Sequence, residues 1–393
     1  MSASYIVYCA ACISVLKELN NVVTEPYMDE PFHVPQAQTY CSGDFATWDP
    51  KITTPPGLYI MSVLFKRVFM FKCSLPMLRL TTALTLLALP IVLTRLLCFY
   101  RRIRPPASIL APTPDAIVLS LFPIAWFFGF LYYTEVPSLV FVVATIVAAS
   151  EDRHWLAGLL GLLSCTFRQT NIIWTLYAYA TSQLMYLRYR RPGPGSQDIA
   201  KLHDPNADQA RPGDKSNHIP VLHVPQVYYF LAFSTAFGWP VLISGAGGIP
   251  LMLRKIYART FGSKLIHHPF LLSDNRHYTF YVWHRIYMFH WLAPYALVPA
   301  YFVCALAWFL RVGNEQSMLQ TVALSICVLA TLLPTPLLEP RYFMIPYLLM
   351  RMQIVNVPSW ALVLEGLWYA AINVVTMGVF LYLPREGVGR FMW

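Results

Sequence analysis

Residues Glu25 to Tyr59 read EPYMDEPFHVPQAQTYCSGDFATWDPKITTPPGLY, and apolar sequence flanks this stretch on both sides. It is polar, rich in turn-forming residues and acidic: Glu25, Asp29, Glu30, Asp44 and Asp49 stand against Lys51 alone. Carboxylates beside lipid are costly, and where they occur they usually serve function rather than packing. The stretch therefore reads as a loop between membrane segments that carries a catalytic carboxylate.

The composition around it supports a membrane setting. The chain has 393 residues, 57% hydrophobic and 12% charged, with mean hydropathy +0.49. A soluble domain carries about twice that charged fraction. Apolar runs of roughly 15–25 residues recur along the chain and read as membrane-spanning helices. Cytosolic globular, fibrous and disordered classes are excluded, and one integral domain over 1–393 is expected. The net charge of +10 is the excess that membrane proteins keep in cytoplasmic loops, so it does not imply a nucleic-acid partner. Cys9 and Cys12 form a C-x-x-C inside an apolar helix with no second pair, which argues against zinc or redox chemistry. Cys41 and Cys73 fall on one side of the membrane and could pair.

Basic clusters orient the spans. With Tyr5–Leu19 running outward as a retained first helix, loop 22–76 is luminal. The segment after Pro55-Pro56 holds Lys66 and Arg67 and reads as an amphipathic interfacial helix. Met77–Tyr100 then returns to a cytosolic cluster of Arg101, Arg102 and Arg104. Ala116–Leu131 goes out, Val136–Ser150 back, Trp155–Cys165 out, and Ile172–Leu187 back to Arg188, Arg190 and Arg191. The polar interval 188–224 reads as a cytosolic loop. Val227–Ile243 is a span, 245–291 a luminal basic and aromatic segment, and Pro294–Leu310, Met318–Leu333, Ile345–Ile354 and Leu362–Leu383 complete the set. The expectation is an all-α polytopic bundle of about eleven spans with a luminal first loop and interfacial helices.

This register gathers the unusual polar motifs on the luminal side. Asp29 and Glu30 precede Pro31, which suits a first helical turn; they either cap that helix or supply a general base. His33 and Gln36 lie one and two turns on and could bind sugar hydroxyls. Trp48 and Asp49 make an aromatic–carboxylate corner, a sugar contact or a plain turn. Tyr133 and Glu135 belong to YYTE, and Arg168, Gln169 and Asn171 to FRQTN, where Arg168 has a phosphate or Glu135 as its partner. Asp274, Asn275, Arg276, His277 and Tyr278 mix cations with aromatics, either as an interfacial belt or as a lipid-phosphate site. Glu339 and Arg341 form a local pair, or Arg341 meets the phosphate. No phosphate-binding loop, dinucleotide fingerprint, nucleophile elbow or H-E-x-x-H occurs, and no ligand set suggests a metal.

EPYMDEPFHVPQAQTYC, WDPKITTPPGLY, YYTE, FRQTNIIW, GDKSNH, LLSDNRHYTFYVW, LLEPRYF and the terminal RFMW together resemble the dolichyl-phosphate-glucose-dependent α-1,2-glucosyltransferase family. The resemblance implies a GT-C-type fold in the endoplasmic reticulum membrane, with the active site in the lumen. It implies dolichyl phosphate glucose as donor, a diglucosylated dolichyl pyrophosphate oligosaccharide as acceptor, and inverting transfer without metal or cofactor. By that pattern Asp29 is the base with Glu30 beside it; the basic and aromatic luminal segments that oppose the acidic loop make Arg276, with His277, Arg168 or Arg341 assisting, the candidates for the donor phosphate. His33, Gln36, Trp48, Asp49, Tyr133, Glu135, Gln169, Asn171, Asp274, Asn275 and Tyr278 are the sugar and acceptor candidates. The chain departs from the pattern over Pro192–Asp214 and Gly245–His267, where the family has hydrophobic spans. An inactive shortened form is one alternative. A non-catalytic transporter or channel-associated subunit is another, although transporters place charges within mid-membrane spans rather than at one end.

Overall fold

The computed structural model of the chain describes residues 2–188, 278–313, 316–332, 339–385 and 389–390. The span expected over Val227–Ile243 lies outside the described residues, as do nearly all of the polar loop 188–224 and the candidates Asp274, Asn275, Arg276 and His277. The described regular structure is helical throughout. Among the described residues, three helices are long and apolar enough to cross a membrane, Leu75–Tyr100, Ala293–Val312 and Ser359–Tyr382, and Glu135–Ser150, His154–Phe167 and Met318–Leu332 are shorter apolar helices.

Helix α1 (Ala3–Val22) starts at Ser2, whose hydroxyl accepts from the Tyr5 N–H. Its buried residues Tyr5, Tyr8, Cys12, Leu16 and Leu19 recur every three or four positions and form one stripe. That stripe packs on α4 (Leu75–Tyr100), where Pro90 interrupts the helix. Proline has no N–H, so the Leu86 carbonyl four residues earlier lacks its helical donor. The Tyr8 hydroxyl donates to that carbonyl at 3.0 Å, and the Tyr5 hydroxyl donates to Leu87 O at 2.8 Å.

The acidic loop folds into two helices. In α2 (Glu30–Cys41) Pro31 occupies the first turn. The expected interfacial helix is α3 (Gly57–Phe69), which buries Gly57, Leu58, Tyr59 and Ser62 and exposes Ile60, Leu64, Val68 and Phe69. A Cβ on Gly57 would lie 2.7 Å from the Thr166 backbone, so only glycine lets α3 approach that closely. Cys41 and Cys73 form a disulfide that ties the end of α2 to the start of α4. Tyr40, Ile52, Leu58, Tyr59 and Tyr132 fill a small core beneath the loop.

Two spans depart from the sequence reading. Ala116–Leu131 is split into α5 (Pro114–Ser120) and α6 (Pro123–Gly129), because Pro123 disfavours helical geometry in the residue before it. The Leu121 carbonyl freed at the break accepts from Asn373 Nδ2 at 2.8 Å. The stretch Ile345–Ile354 holds α13 (Met344–Met352), whose nine residues rise about 14 Å, less than half a hydrocarbon core of about 30 Å. The rest follow the expected order: α7 (Glu135–Ser150), α8 (His154–Phe167), α9 (Asn171–Arg188), α10 (Tyr278–Val282), α11 (Ala293–Gly313), α12 (Met318–Leu332) and, last, α14 (Ser359–Tyr382).

Candidate active site

The site is built where α2 begins. Asp29 stands just before that helix, yet its side chain makes no capping bond to the first turn. Its backbone N–H donates to the Tyr133 hydroxyl at 2.9 Å, and its carboxylate accepts from Arg341 Nη1 at 2.8 Å. The preceding Met28 has φ +57°, a left-handed conformation that methionine rarely adopts and that neighbouring contacts must hold in place.

Arg341 is the centre of the charge cluster. The same Nη1 lies 3.2 Å from Glu135 Oε1, and the guanidinium also pairs with Glu339. Arg168 pairs with the same Glu135 Oε1 and lies 4.9 Å over the Tyr342 ring. Three carboxylates and two guanidiniums therefore meet, from segments far apart in the chain. Burial works against the Arg341 cation, but Glu135, Asp29 and Glu339 outweigh it and hold the group protonated well above its ordinary range. Of the three acids, Asp29 is the open one: its side chain is 35% exposed, against 1% for Glu135 and 4% for Glu339. A carboxylate that is fixed in place yet reachable can accept a proton from a bound hydroxyl.

Several sequence candidates have other work here. Glu30 is not a second open carboxylate beside Asp29, because Arg79 encloses it completely. Arg79 donates Nε to Glu30 Oε1 at 2.9 Å and Nη2 to Oε2 at 2.6 Å, and the Tyr132 and Tyr27 N–H groups supply two further bonds to the carboxylate. Arg79 also donates to Val23 O at 2.6 Å and to Glu25 O and Asn20 Oδ1 at 3.3 Å, so all five of its donors are used. Gln36 is buried and clamps the following turn, donating to Thr47 O at 2.8 Å and accepting from Asp49 N at 2.9 Å. Asn171 is likewise buried and joins three helices, donating to Ser138 Oγ at 2.7 Å and Ser164 O at 2.8 Å. Both amide hydrogens of Asn171 are used, and Gln36 spends one of its two.

The other candidates sit nearer the opening. His33 Nδ1 lies 2.6 Å from the Tyr59 hydroxyl. Burial lowers the His33 pKa more than Asp29 and Glu135 raise it, so the ring is neutral at pH 7. The Trp48 ring packs edge-on against Tyr59 at 5.8 Å and remains partly exposed, and Asp49 caps its own turn by accepting from Lys51 N at 2.9 Å. Gln169 is exposed beside Arg168, and Tyr278 opens α10. Arg79 and Tyr132 were not singled out in the sequence. An arginine inside an otherwise apolar span was the available signal for the first.

Helices crossing a membrane, with an arginine-clasped aspartate at one end, define a class: helical membrane proteins with a carboxylate–guanidinium centre. The chain belongs to the DIE2/ALG10 family, whose profile matches residues 23–204 and 212–352. A protein of Arabidopsis thaliana named Dol-P-Glc:Glc(2)Man(9)GlcNAc(2)-PP-Dol alpha-1,2-glucosyltransferase is 31% identical over 498 positions, covering 95% of this chain and 96% of its own. Proteins of the same name from Homo sapiens and Yarrowia lipolytica are each 30% identical. The human alignment covers 100% of this chain and 98% of the relative, and the yeast alignment 98% and 96%. These alignments run well beyond 393 positions, so the relatives carry residues that this chain lacks. No solved structure matches the chain.

Proposed function

We propose that the protein transfers glucose from dolichyl phosphate glucose to the 2-hydroxyl of the terminal glucose of a diglucosylated, dolichyl pyrophosphate-linked oligosaccharide, with inversion. The relatives' shared name supports the substrates and the linkage. The observation that carries the chemistry is the single open carboxylate, Asp29, in a cluster whose other acids are enclosed. Asp29 takes the proton as the acceptor O2 attacks the anomeric carbon. The bond from that carbon to the phosphate oxygen breaks, and dolichyl phosphate leaves with the electron pair. Arg341 holds the aspartate through Nη1, which also reaches Glu135, so its part is to orient the base. Arg168, partly exposed at the cluster's edge, and the segment containing Arg276 and His277 receive the leaving phosphate. Tyr133, His33, Trp48, Gln169, Tyr278, Asp274 and Asn275 are the candidates for contacts to the sugars and the acceptor.

The reaction belongs in the lumen of the endoplasmic reticulum, within a GT-C-like bundle of about eleven spans. Two features support that side. The Cys41–Cys73 disulfide suits an oxidising compartment, and the basic run Arg101, Arg102 and Arg104 follows the far end of α4. The test is glucosyl transfer to lipid-linked oligosaccharide by microsomes containing Asp29→Asn. Turnover should fall by at least about a hundredfold. Undiminished turnover by a normally expressed variant removes Asp29 from the mechanism.

A further inference from the structure

We propose that Arg385, Gly389 and Arg390 act as a strap that positions the acidic loop, with Arg390 and Tyr27 as positioning residues for Asp29. This inference rests on the glucosyl-transfer reading for its activity readout but has a second readout of its own. Arg385 and Gly389 exchange both backbone hydrogen bonds, at 3.0 and 2.9 Å. Gly389 has φ +99°, a conformation that favours glycine.

Next to Gly389, the Arg390 guanidinium joins the ends of α1 and α14. Its Nη1 donates to Phe380 O at 2.8 Å and Leu381 O at 2.7 Å, and its Nη2 to Val22 O at 3.3 Å. These are last-turn carbonyls, which have no donor within their own helices. The Arg390 carbonyl accepts from the Tyr27 hydroxyl at 2.6 Å, and the Tyr27 ring packs edge-on against Phe380 at 5.0 Å. On its other end the strap holds α10, where the Arg385 guanidinium donates to the Tyr281 hydroxyl.

Tyr27 is two residues from the base, and its backbone organises the turn between them. The Tyr27 N–H donates to Glu30 Oε2 at 2.9 Å, and the Tyr27 carbonyl accepts from the Glu30 N–H at 3.0 Å. The same carbonyl accepts from the Tyr133 hydroxyl at 3.4 Å, the hydroxyl that receives the Asp29 N–H. The strap thus fixes the residue before strained Met28, and Tyr133 fixes the residue after it. Releasing the strap lets Met28 relax and turns the Asp29 carboxylate away from its working direction.

The test uses the full chain in lipid nanodiscs, as wild type, Tyr27→Phe, Arg390→Ala, Arg390→Lys and the Tyr27→Phe/Arg390→Ala double variant. The expected result is a kcat about fivefold lower for Tyr27→Phe, the factor one hydrogen bond is worth, and lower still for Arg390→Ala, with KM for both substrates unchanged. Arg390→Lys should recover part of the loss, and the double variant should be no slower than Arg390→Ala, because both changes break one connection. Hydrogen exchange at residues 25–33 should accelerate about tenfold in Arg390→Ala. Wild-type kcat in the variants despite lowered melting temperatures makes the strap merely structural and overturns the proposal, as does unchanged exchange over 25–33. If the wild type itself transfers no glucose, the glucosyl reading fails, and the exchange measurement alone then decides whether the strap holds the loop.

Discussion

The pair Arg79–Glu30 shows how one residue can read as chemistry in the sequence and as architecture in the fold. A buried ion pair gains stability only when its remaining hydrogen-bonding capacity is filled, and here it is filled on both sides. Removing one partner leaves a charge enclosed without its counterion. Arg79→Met should therefore cost about 3–5 kcal/mol of stability, and adding Glu30→Gln should recover part of it, as read from thermal unfolding in detergent. His33 gives a second residue-scale expectation. Its pKa is lowered in the fold from 6.5, so below that pH the unfolded chain binds more protons and stability falls. Melting temperature should decline as pH drops through about 6.5 and beyond, and His33→Phe should show a shallower decline over the same window. D-E-P marked the head of a helix and left Asp29 as either its cap or a base; the structure has it there without a capping bond. The Glu30 partner was not legible, since Arg79 is 49 residues away and nothing local to either side chain announces the pairing.

At the level of elements, apolar runs located the helices well, because a helix that lies in lipid needs little more than length and hydropathy. The acidic interval was legible as a loop, and Pro31 marked the start of α2. The break between α5 and α6 was written in Pro123 but hidden by the uniform hydropathy of its surroundings. Which carbonyl would rescue which side chain was not legible, because Asn373 and Leu121 lie 252 residues apart. The disulfide belongs to this scale, since it fastens α2 to α4 across a separation of 32 residues. Cys41→Ser/Cys73→Ser should lose about 3–4 kcal/mol by the loop-closure argument, seen as a lower unfolding temperature. It should also loosen the far end of α2, the helix that begins beside the base.

Across the whole molecule, Asp29, Glu135, Arg168, Arg341 and Arg390 all reach one end of the bundle, with the acidic loop. Segments that share an end must be separated by an even number of crossings. A labelling experiment tells which compartment each end faces. Ala46→Cys should react with a membrane-impermeant thiol reagent only after sealed microsomes are permeabilised, whereas Ser108→Cys should react at once. The reverse pattern inverts the orientation. What the sequence could not convey at this scale was the meeting of Asp29 with Arg341 across 312 residues.

That separation has a bearing on synthesis. Ribosomes add roughly 5–20 residues per second, so Arg341 is made roughly 15–60 s after the aspartate it will clasp. During that interval the nascent chain already holds Asp29 and Glu135 with Arg168 as the one cation of the finished cluster, an excess of negative charge at the lipid boundary. Insertion of the last third of the protein is thus the event that gives Asp29 its counterion, while Glu339 arrives with Arg341 and leaves the net charge of the cluster unchanged; a chain stalled before LLEPRYF would hold the aspartate without the arginine that fixes it.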